Sequence, residues 1–458
     1  MRSVPVFQSV LAIHLINTQQ KKQYKIMKSN LKLLTLFALA LSFSFTSCDD
    51  NNGSDEDTEL PAIYAALPGT VISEDTRWST DQELTGQYYV LPGVTLTIDA
   101  GIEVSFTYHN NDVDKVGAII TLPADAENFE TPHPSGRLVA EGTANNPIVF
   151  TSARDNKLPG DWGGIVLAGE GINNIDGGKG EVEGLPDAIQ YGGMNNNDDS
   201  GILKYVRIEY VGFSFAEGSE LNGLSLYSVG SGTTLEYIQV YKCTDDGFEW
   251  FGGSVNAKYL ISSFNDDDSF DMDEGWNGNG QFWLGVQVAG ADNGFESDGV
   301  KTLGSGGETN PTLYNVTLVG LKQDGATKDA EDKNYGMRLR EEFNGTLENF
   351  IITDFDGLNF KLEDDTRDLF PNSLSIDNTI VWNNEGFNNA TDSTDFGAVT
   401  MEQAPGFTNA AGYDYTVANP VTGATPPSNS FFNSSATYVG AFGSTNWATG
   451  NWVRWNDN

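Results

Sequence analysis

Between Leu235 and Gly299 the chain concentrates carboxylates in a pattern that suits a divalent cation. Asn265-Asp-Asp-Asp-Ser-Phe-Asp-Met-Asp-Glu places six acids, Asp266, Asp267, Asp268, Asp271, Asp273 and Glu274, within nine positions. Ca2+ takes roughly six to eight oxygens from carboxylates and carbonyls, so this stretch is the first candidate for it. The spacing is not that of an EF-hand loop. Glu249 and Glu296 occupy the place of Asp271 in the neighbouring repeats and are expected to add outward oxygens. A solvated acidic face is the plain alternative. Asp246 and Asp268 also have an ordinary reading as corner residues, because Asp and Asn tolerate unusual φ and bond nearby backbone.

Three cations follow the acids: Arg338, Arg340 and Lys361. As surface partners of Glu296 and Asp298 the arginines would contribute only about 0–1 kcal/mol per pair. Beside a bound cation they would instead clamp a ligand carboxylate. If the face is catalytic, two reactions suit it. In β-elimination a base removes a proton next to a uronate carboxylate while cations hold the developing charge. Arg is seldom a base, so the site would need a close guanidinium pair, Arg338 and Arg340, or a neighbouring Lys, for which Lys361 is the candidate. In hydrolysis Asp271 and Asp298 would act as acid and base. Trp276, in Gly275-Trp-Asn-Gly-Asn-Gly, and Phe251 are candidate sugar-stacking aromatics, the Trp with a fold-back over the coil as its alternative. His109 and His133 sit in separate loops, so neither a multi-His zinc site nor a Ser-His-Asp set can be assembled.

These residues are carried by a repeat. Tyr237-Ile-Gln-Val-Tyr leads to Asp246-Gly-Phe-Glu-Trp, Tyr259-Leu-Ile-Ser-Ser to Asp268-Ser-Phe-Asp-Met, and Phe282-Trp-Leu-Gly-Val to Asn293-Gly-Phe-Glu-Ser. The marker residues Phe248, Phe270 and Phe295 are 22 and then 25 residues apart, a period that signals a solenoid. Each unit reads strand, Asp/Asn/Gly corner, strand. The expected fold is all-β: a right-handed, single-stranded parallel β-helix with N- and C-terminal caps, its hand following the rule for parallel crossovers. The marker segment recurs at Gly223-Leu-Ser-Leu-Tyr, Gly336-Met-Arg-Leu-Arg and Gly357-Leu-Asn-Phe-Lys. With the phenylalanines inward, alternation yields two outward columns. One reads Ser225, Glu249, Asp271, Glu296, Arg338, Asn359; the other Tyr227, Phe251, Asp273, Asp298, Arg340, Lys361.

The 458 residues include 51 Gly and 52 aromatics, a composition rich in corners and strands. Met27-Lys-Ser-Asn-Leu-Lys and the apolar run Leu33–Phe45 read as a signal peptide that ends at Ser47, with 1–26 an upstream extension and Met27 the true start. Without residues 1–47 the chain holds 19 basic and 64 acidic side chains, net −45. Such a surface excludes nucleic acid as a partner and repels anionic polymers unless divalent cations intervene. Asp49–Leu60 is a charged tether, expected to be disordered. The folded domain spans 61–458: end-cap strands over 61–155, coils over 156–400 and a C-terminal cap over 401–458 that includes Trp452 and Trp455. Only Cys48 and Cys243 are present, and Cys243, at a strand end, reads as a small buried hydrophobe.

Phe45-Thr46-Ser47-Cys48 resembles the lipobox of bacterial lipoproteins, which implies lipid on Cys48 and leaves no partner for Cys243. Tyr89-Val-Leu-Pro-Gly-Val-Thr-Leu-Thr-Ile-Asp-Ala-Gly-Ile-Glu-Val, Leu138-Val-Ala-Glu-Gly-Thr-Ala-Asn-Asn-Pro-Ile-Val-Phe-Thr-Ser and Gly160-Asp-Trp-Gly-Gly-Ile-Val-Leu resemble right-handed β-helix lipoproteins of Bacteroidota, in the pectate-lyase-like superfamily. The ending from Tyr438 to Trp455 is similar to that family's C-terminal segment. The resemblance implies an outer-membrane lipoprotein, displayed on the cell surface or facing the periplasm. The Gly-His-Gly and Arg-Ile-Lys signatures of polygalacturonases are absent. The expected function is therefore binding of an extracellular ligand, a glycan, with Ca2+, by a monomer. Polysaccharide cleavage by a lyase or hydrolase, and a structural adhesin, are the alternatives.

Overall fold

The computed structural model describes residues 60–458 except 110–112, 126–131, 183–189, 217–218, 303, 305, 329–332 and 458. The segment read as a signal peptide, Cys48 and the expected tether up to Glu59 lie outside the described residues. Two long parallel sheets dominate. One has ten strands, from Thr70–Ile72 to Phe360–Leu362, and the other fifteen, from Thr76–Trp78 to Thr400–Glu402. The chain alternates between them and returns one strand further along each time, which is the path of a parallel β-helix.

The expected period is the observed register. Phe248 pairs with Phe270, and Phe270 with Phe295. Leu224 precedes them and Met337 and Phe360 follow in the same row. All six are buried in one core cluster that runs the length of the coils. Fully burying a side chain of this size contributes about 1.5–3 kcal/mol, so each coil adds a similar increment as the stack grows. One detail differs from the sequence alignment. Lys361, not Asn359, follows Arg338 in register, so Glu363 follows Arg340 and Lys361 belongs to the first outward column.

The fifteen-strand sheet is bent along a line. Strands Gln82–Leu84, Glu103–Phe106 and Ile148–Ser152 form a separate row that joins the second half of Gly201–Val211, whereas Arg137–Glu141 joins its first half. Between the halves Tyr205 has φ 51°, and Tyr237, Tyr259, Phe282, Asn315 and Asn349 repeat that left-handed conformation coil after coil. Left-handed backbone costs a non-Gly residue roughly 1–2 kcal/mol. Stacking offsets part of it: Tyr205, Tyr237, Tyr259 and Phe282 form a column with centroids 4.2–4.9 Å apart.

That column is covered by the C-terminal segment. Trp452 meets Tyr205 and Tyr237 edge-on, and Trp447 meets Tyr259. Buried amides bond the strap's backbone: Asn349 to Ala424, Asn315 to Tyr438, Gln281 to Asn433 and Gln239 to Arg454. Trp452 and Trp455, expected to close the last coil, therefore lie along the flank of the solenoid. The last coil is closed instead by the helix Ala390–Gly397, N-capped by Asn389, whose Phe396 packs on Phe360 and Phe370. Cys243 is fully buried, and burial pushes its thiol pKa up.

Candidate functional site

The outer face of the ten-strand sheet changes character along its length. Its first column reads Tyr89, Ile120, Val166, Ser225, Glu249, Asp271, Glu296, Arg338, Lys361. The first four are wholly buried, and an apolar layer that includes Tyr64, Leu67, Val182 and Tyr191 lies over this half. Phe251 belongs to that layer. It is 5% exposed and stacked on Tyr227 at 4.1 Å, so it presents no ring to a ligand. From Glu249 to Lys361 the residues of this column are partly exposed, and this stretch is the candidate groove.

Along one margin of the groove a ladder of corner residues ties coil to coil. Asn222 Oδ1 accepts the Asp246 N–H at 3.3 Å, and Asp246 Oδ1 accepts the Asp268 N–H at 2.8 Å. Asp268 Oδ1 accepts from Asn293, and Asn293 Oδ1 from Tyr335. Asp246 and Asp268 thus stand at corners, but their carboxylates bond the backbone of the next coil and not their own. These carboxylates also enter a larger cluster.

Four triads, Asp245–Asp246–Asp267, Asp246–Glu249–Asp271, Asp267–Asp268–Asp292 and Asp268–Asp271–Glu296, each offer carboxylate oxygens within 4.8 Å of one another. The second and fourth are the same arrangement one coil apart, and Asp271 belongs to both. Asp271 Oδ1 is shielded from solvent and receives no hydrogen bond. Burial first, and the neighbouring carboxylates second, push the Asp246, Asp268 and Asp271 carboxyls well above the usual range. Asp267 rises to about 7, through burial and then Asp245 and Asp292. Asp273 also rises to about 7, through burial and then Asp298. Protons held by burial and by neighbouring carboxylates are what a hard divalent cation with oxygen preference would displace.

Of the eight residues the sequence nominated for metal, the structure gathers Glu249, Asp267, Asp268, Asp271 and Glu296 into triads. Asp266, Asp273 and Glu274 fall outside all four. Asp273 Oδ1 accepts the Asp298 N–H at 3.0 Å, and Glu274 is bound by the Tyr191 hydroxyl at 2.6 Å. Asp245, Asp246 and Asp292 enter triads without having been nominated; for Asp246 the corner reading had hidden a second role.

Basic groups border the acids. Arg338 Nη1 donates to Glu296 at 2.8 Å, Arg340 Nη2 to Glu296 at 2.8 Å and Arg340 Nε to Asp298 at 2.5 Å. Asp271 and Asp298 lie in different columns, and Asp298 is occupied by Arg340. Lys361 Nζ stands over the Tyr335 ring at 4.8 Å and 3.6 Å from Glu363. Trp276 folds back, the alternative to stacking on a sugar. It is fully buried, stacked on Trp250 at 4.9 Å, and its Nε1 donates to the Val255 carbonyl at 3.1 Å. The glycines around it let the chain fold the indole back into the core. Trp382, at the end of the strand Thr379–Trp382, is 43% exposed and lines a separate cleft with Asn384, Phe387 and Glu402.

The family model of the pectate-lyase-like β-helix domain matches residues 69–448. No curated protein matches the chain.

Proposed function

The chain belongs to the family of pectate-lyase-like β-helix domains, and from that premise we propose a lipid-anchored, surface-displayed protein that binds an anionic glycan through Ca2+ in the Glu249–Lys361 groove. The observation that carries this is the repeated triad around Asp271, whose buried Oδ1 receives no donor among the described residues. Ca2+ supplies the missing positive charge and leaves ligand positions for sugar carboxylates. It also answers the charge problem, since residues 48–458, net −45, repel a polyuronate until cations intervene. Once a cation shares Glu296, Arg338 and Arg340 become donors for ligand carboxylates in the paired geometry that guanidinium favours. Anchoring through lipid on Cys48 rests on Phe45-Thr46-Ser47-Cys48 and the acidic stretch after it.

Calorimetric titration of the 61–458 fragment with Ca2+, and then with oligogalacturonate or oligoalginate in Ca2+ and in EDTA, tests the reading. Binding of the sugar in Ca2+ and its loss in EDTA are expected; sugar binding that ignores EDTA refutes the cation's role. A second reading, β-elimination, draws on Lys361, which stands beside Arg338 in register at 33% side-chain exposure. Growth of unsaturated-uronate absorbance on the same substrates, abolished in Lys361→Ala, would select it. Anchoring is tested in cells, where Cys48→Ala should release the protein from the membrane fraction.

A further inference from the structure

The face that carries the candidate groove is covered by an apolar layer at one end and partly exposed at the other. Upstream, Tyr227 and Phe251 are roofed, and Tyr191 packs on Tyr227 at 4.8 Å while its hydroxyl bonds Glu274, the residue that follows Asp273. Downstream, nothing comparable covers the face among the described residues. Side-chain exposure rises along it: 13% at Asp273 and 14% at Asp298, then 28% at Arg338, 33% at Lys361 and 40% at Glu363. From Glu249 to Lys361 the floor spans four coil steps, about 19 Å. The carboxylate cluster thus lies at the dead end, and the basic residues at the mouth.

We propose that the groove is one-ended: it receives the terminus of an anionic glycan chain, which enters past Lys361 and comes to rest against the wall at Tyr191 and Phe251. The inference rests on the glycan-binding reading above and adds what that reading leaves open, whether a chain end or an internal segment is recognised. Charge orders the ligand within the groove. The last sugar carboxylates reach the cation held around Asp271, and those behind them face Arg338, Arg340 and Lys361. An internal segment would have to continue through the apolar roof.

The two modes differ in stoichiometry. An end-reader binds one protein per chain whatever the chain's length, whereas a groove open at both ends loads more protein as the chain grows. Sedimentation velocity with a short and a several-fold longer fraction of polygalacturonate, at Ca2+ levels below those that gel the polymer, reads this directly. The expected result is the same count, near one protein per chain, on both fractions. A count that rises in proportion to length overturns the one-ended groove and leaves glycan binding standing. No binding to either fraction, with Ca2+ uptake intact, removes both.

Discussion

Asp271 and Glu296 are direct neighbours across two coils, and with Asp268 they bring carboxylate oxygens within 4.8 Å of one another. Glu296 is held by two arginines, whereas Asp271 Oδ1 receives no donor. Two like charges about 5 Å apart repel by roughly 3 kcal/mol at an effective dielectric near 20. The Asp271→Asn protein is therefore expected to lose roughly tenfold or more in Ca2+ affinity, about 1.4 kcal/mol per tenfold. It should also melt higher than the parent in EDTA. Calorimetry and thermal melts check both signs; a variant with parental Ca2+ affinity would remove Asp271 from the site.

The pH dependence has a definite sign. Asp267 and Asp273 have folded pKa values near 7, raised from 3.8 mainly by burial. Their contribution to stability is fully present below the unfolded value and is lost as pH rises from about 4 through about 7. In EDTA the melting midpoint should fall across that window. Saturating Ca2+ should flatten the part of the fall that comes from Asp267, a triad member, and its affinity should climb over the same range because binding releases that proton. Melts at half-unit pH steps, with and without Ca2+, measure this; a midpoint in EDTA that rises from pH 4 to 7 would contradict the arrangement.

Arg340→Ala leaves Asp298 and one oxygen of Glu296 without their donors. Charge-assisted bonds of this kind contribute about 1.5–3 kcal/mol, so destabilisation at the lower end of that range is expected at 25% exposure of the arginine. Ca2+ should restore more of the melting midpoint in this variant than in the parent. Oligogalacturonate affinity should drop even in saturating Ca2+, which separates ligand contact from cation binding. Titrations of Ca2+ first and sugar second resolve the two.

Trp276→Ala empties a fully buried position between Trp250 and Trp283. The cost should be roughly 3–5 kcal/mol, read as a lower midpoint in denaturant. Sugar affinity of the folded fraction should match the parent, since the indole reaches no solvent. A selective loss of affinity with unchanged stability would return Trp276 to the ligand surface.

Asn349→Ala tests the C-terminal strap. The Asn349 amide donates to the Ala424 carbonyl at 2.8 Å and accepts from the Ala424 N–H at 2.7 Å, and the residue holds φ 65°. Loss of both bonds should cost about 1–3 kcal/mol, with Ala adding left-handed strain. Asn349→Gly should recover the strain alone. Equal stability of the two variants would show that the hydrogen bonds dominate.

The coil register around Phe248, Phe270 and Phe295 was legible in the chain because strand alternation has a period of two, and a slip of one residue would expose every core phenylalanine. For the same reason the last coil was not. Leu358 and Phe360 are two apart, so either alignment keeps apolar residues inward, and only backbone pairing chose Lys361 as the neighbour of Arg338. The acidic column followed from that register, but its assembly into triads needed the corner ladder to turn Asp246 and Asp268 toward it. Phe251 and Trp276 looked available for sugar because local sequence carries no record of what packs over them. Phe251 is roofed by segments 60 residues and more away in the chain, and Trp276 turns inward at the left-handed Glu274 and Gly275. The strap is the extreme case. Asn349, Gln281, Asn315 and Gln239 bind a segment that goes back to Gln281, returns to Asn349 at Gly440 and then goes back again as far as Gln239. Repeats reveal themselves through spacing; a single non-repeating strap, joined by contacts of 75 to 215 residues' separation, leaves no period to read and is decided by tertiary packing alone.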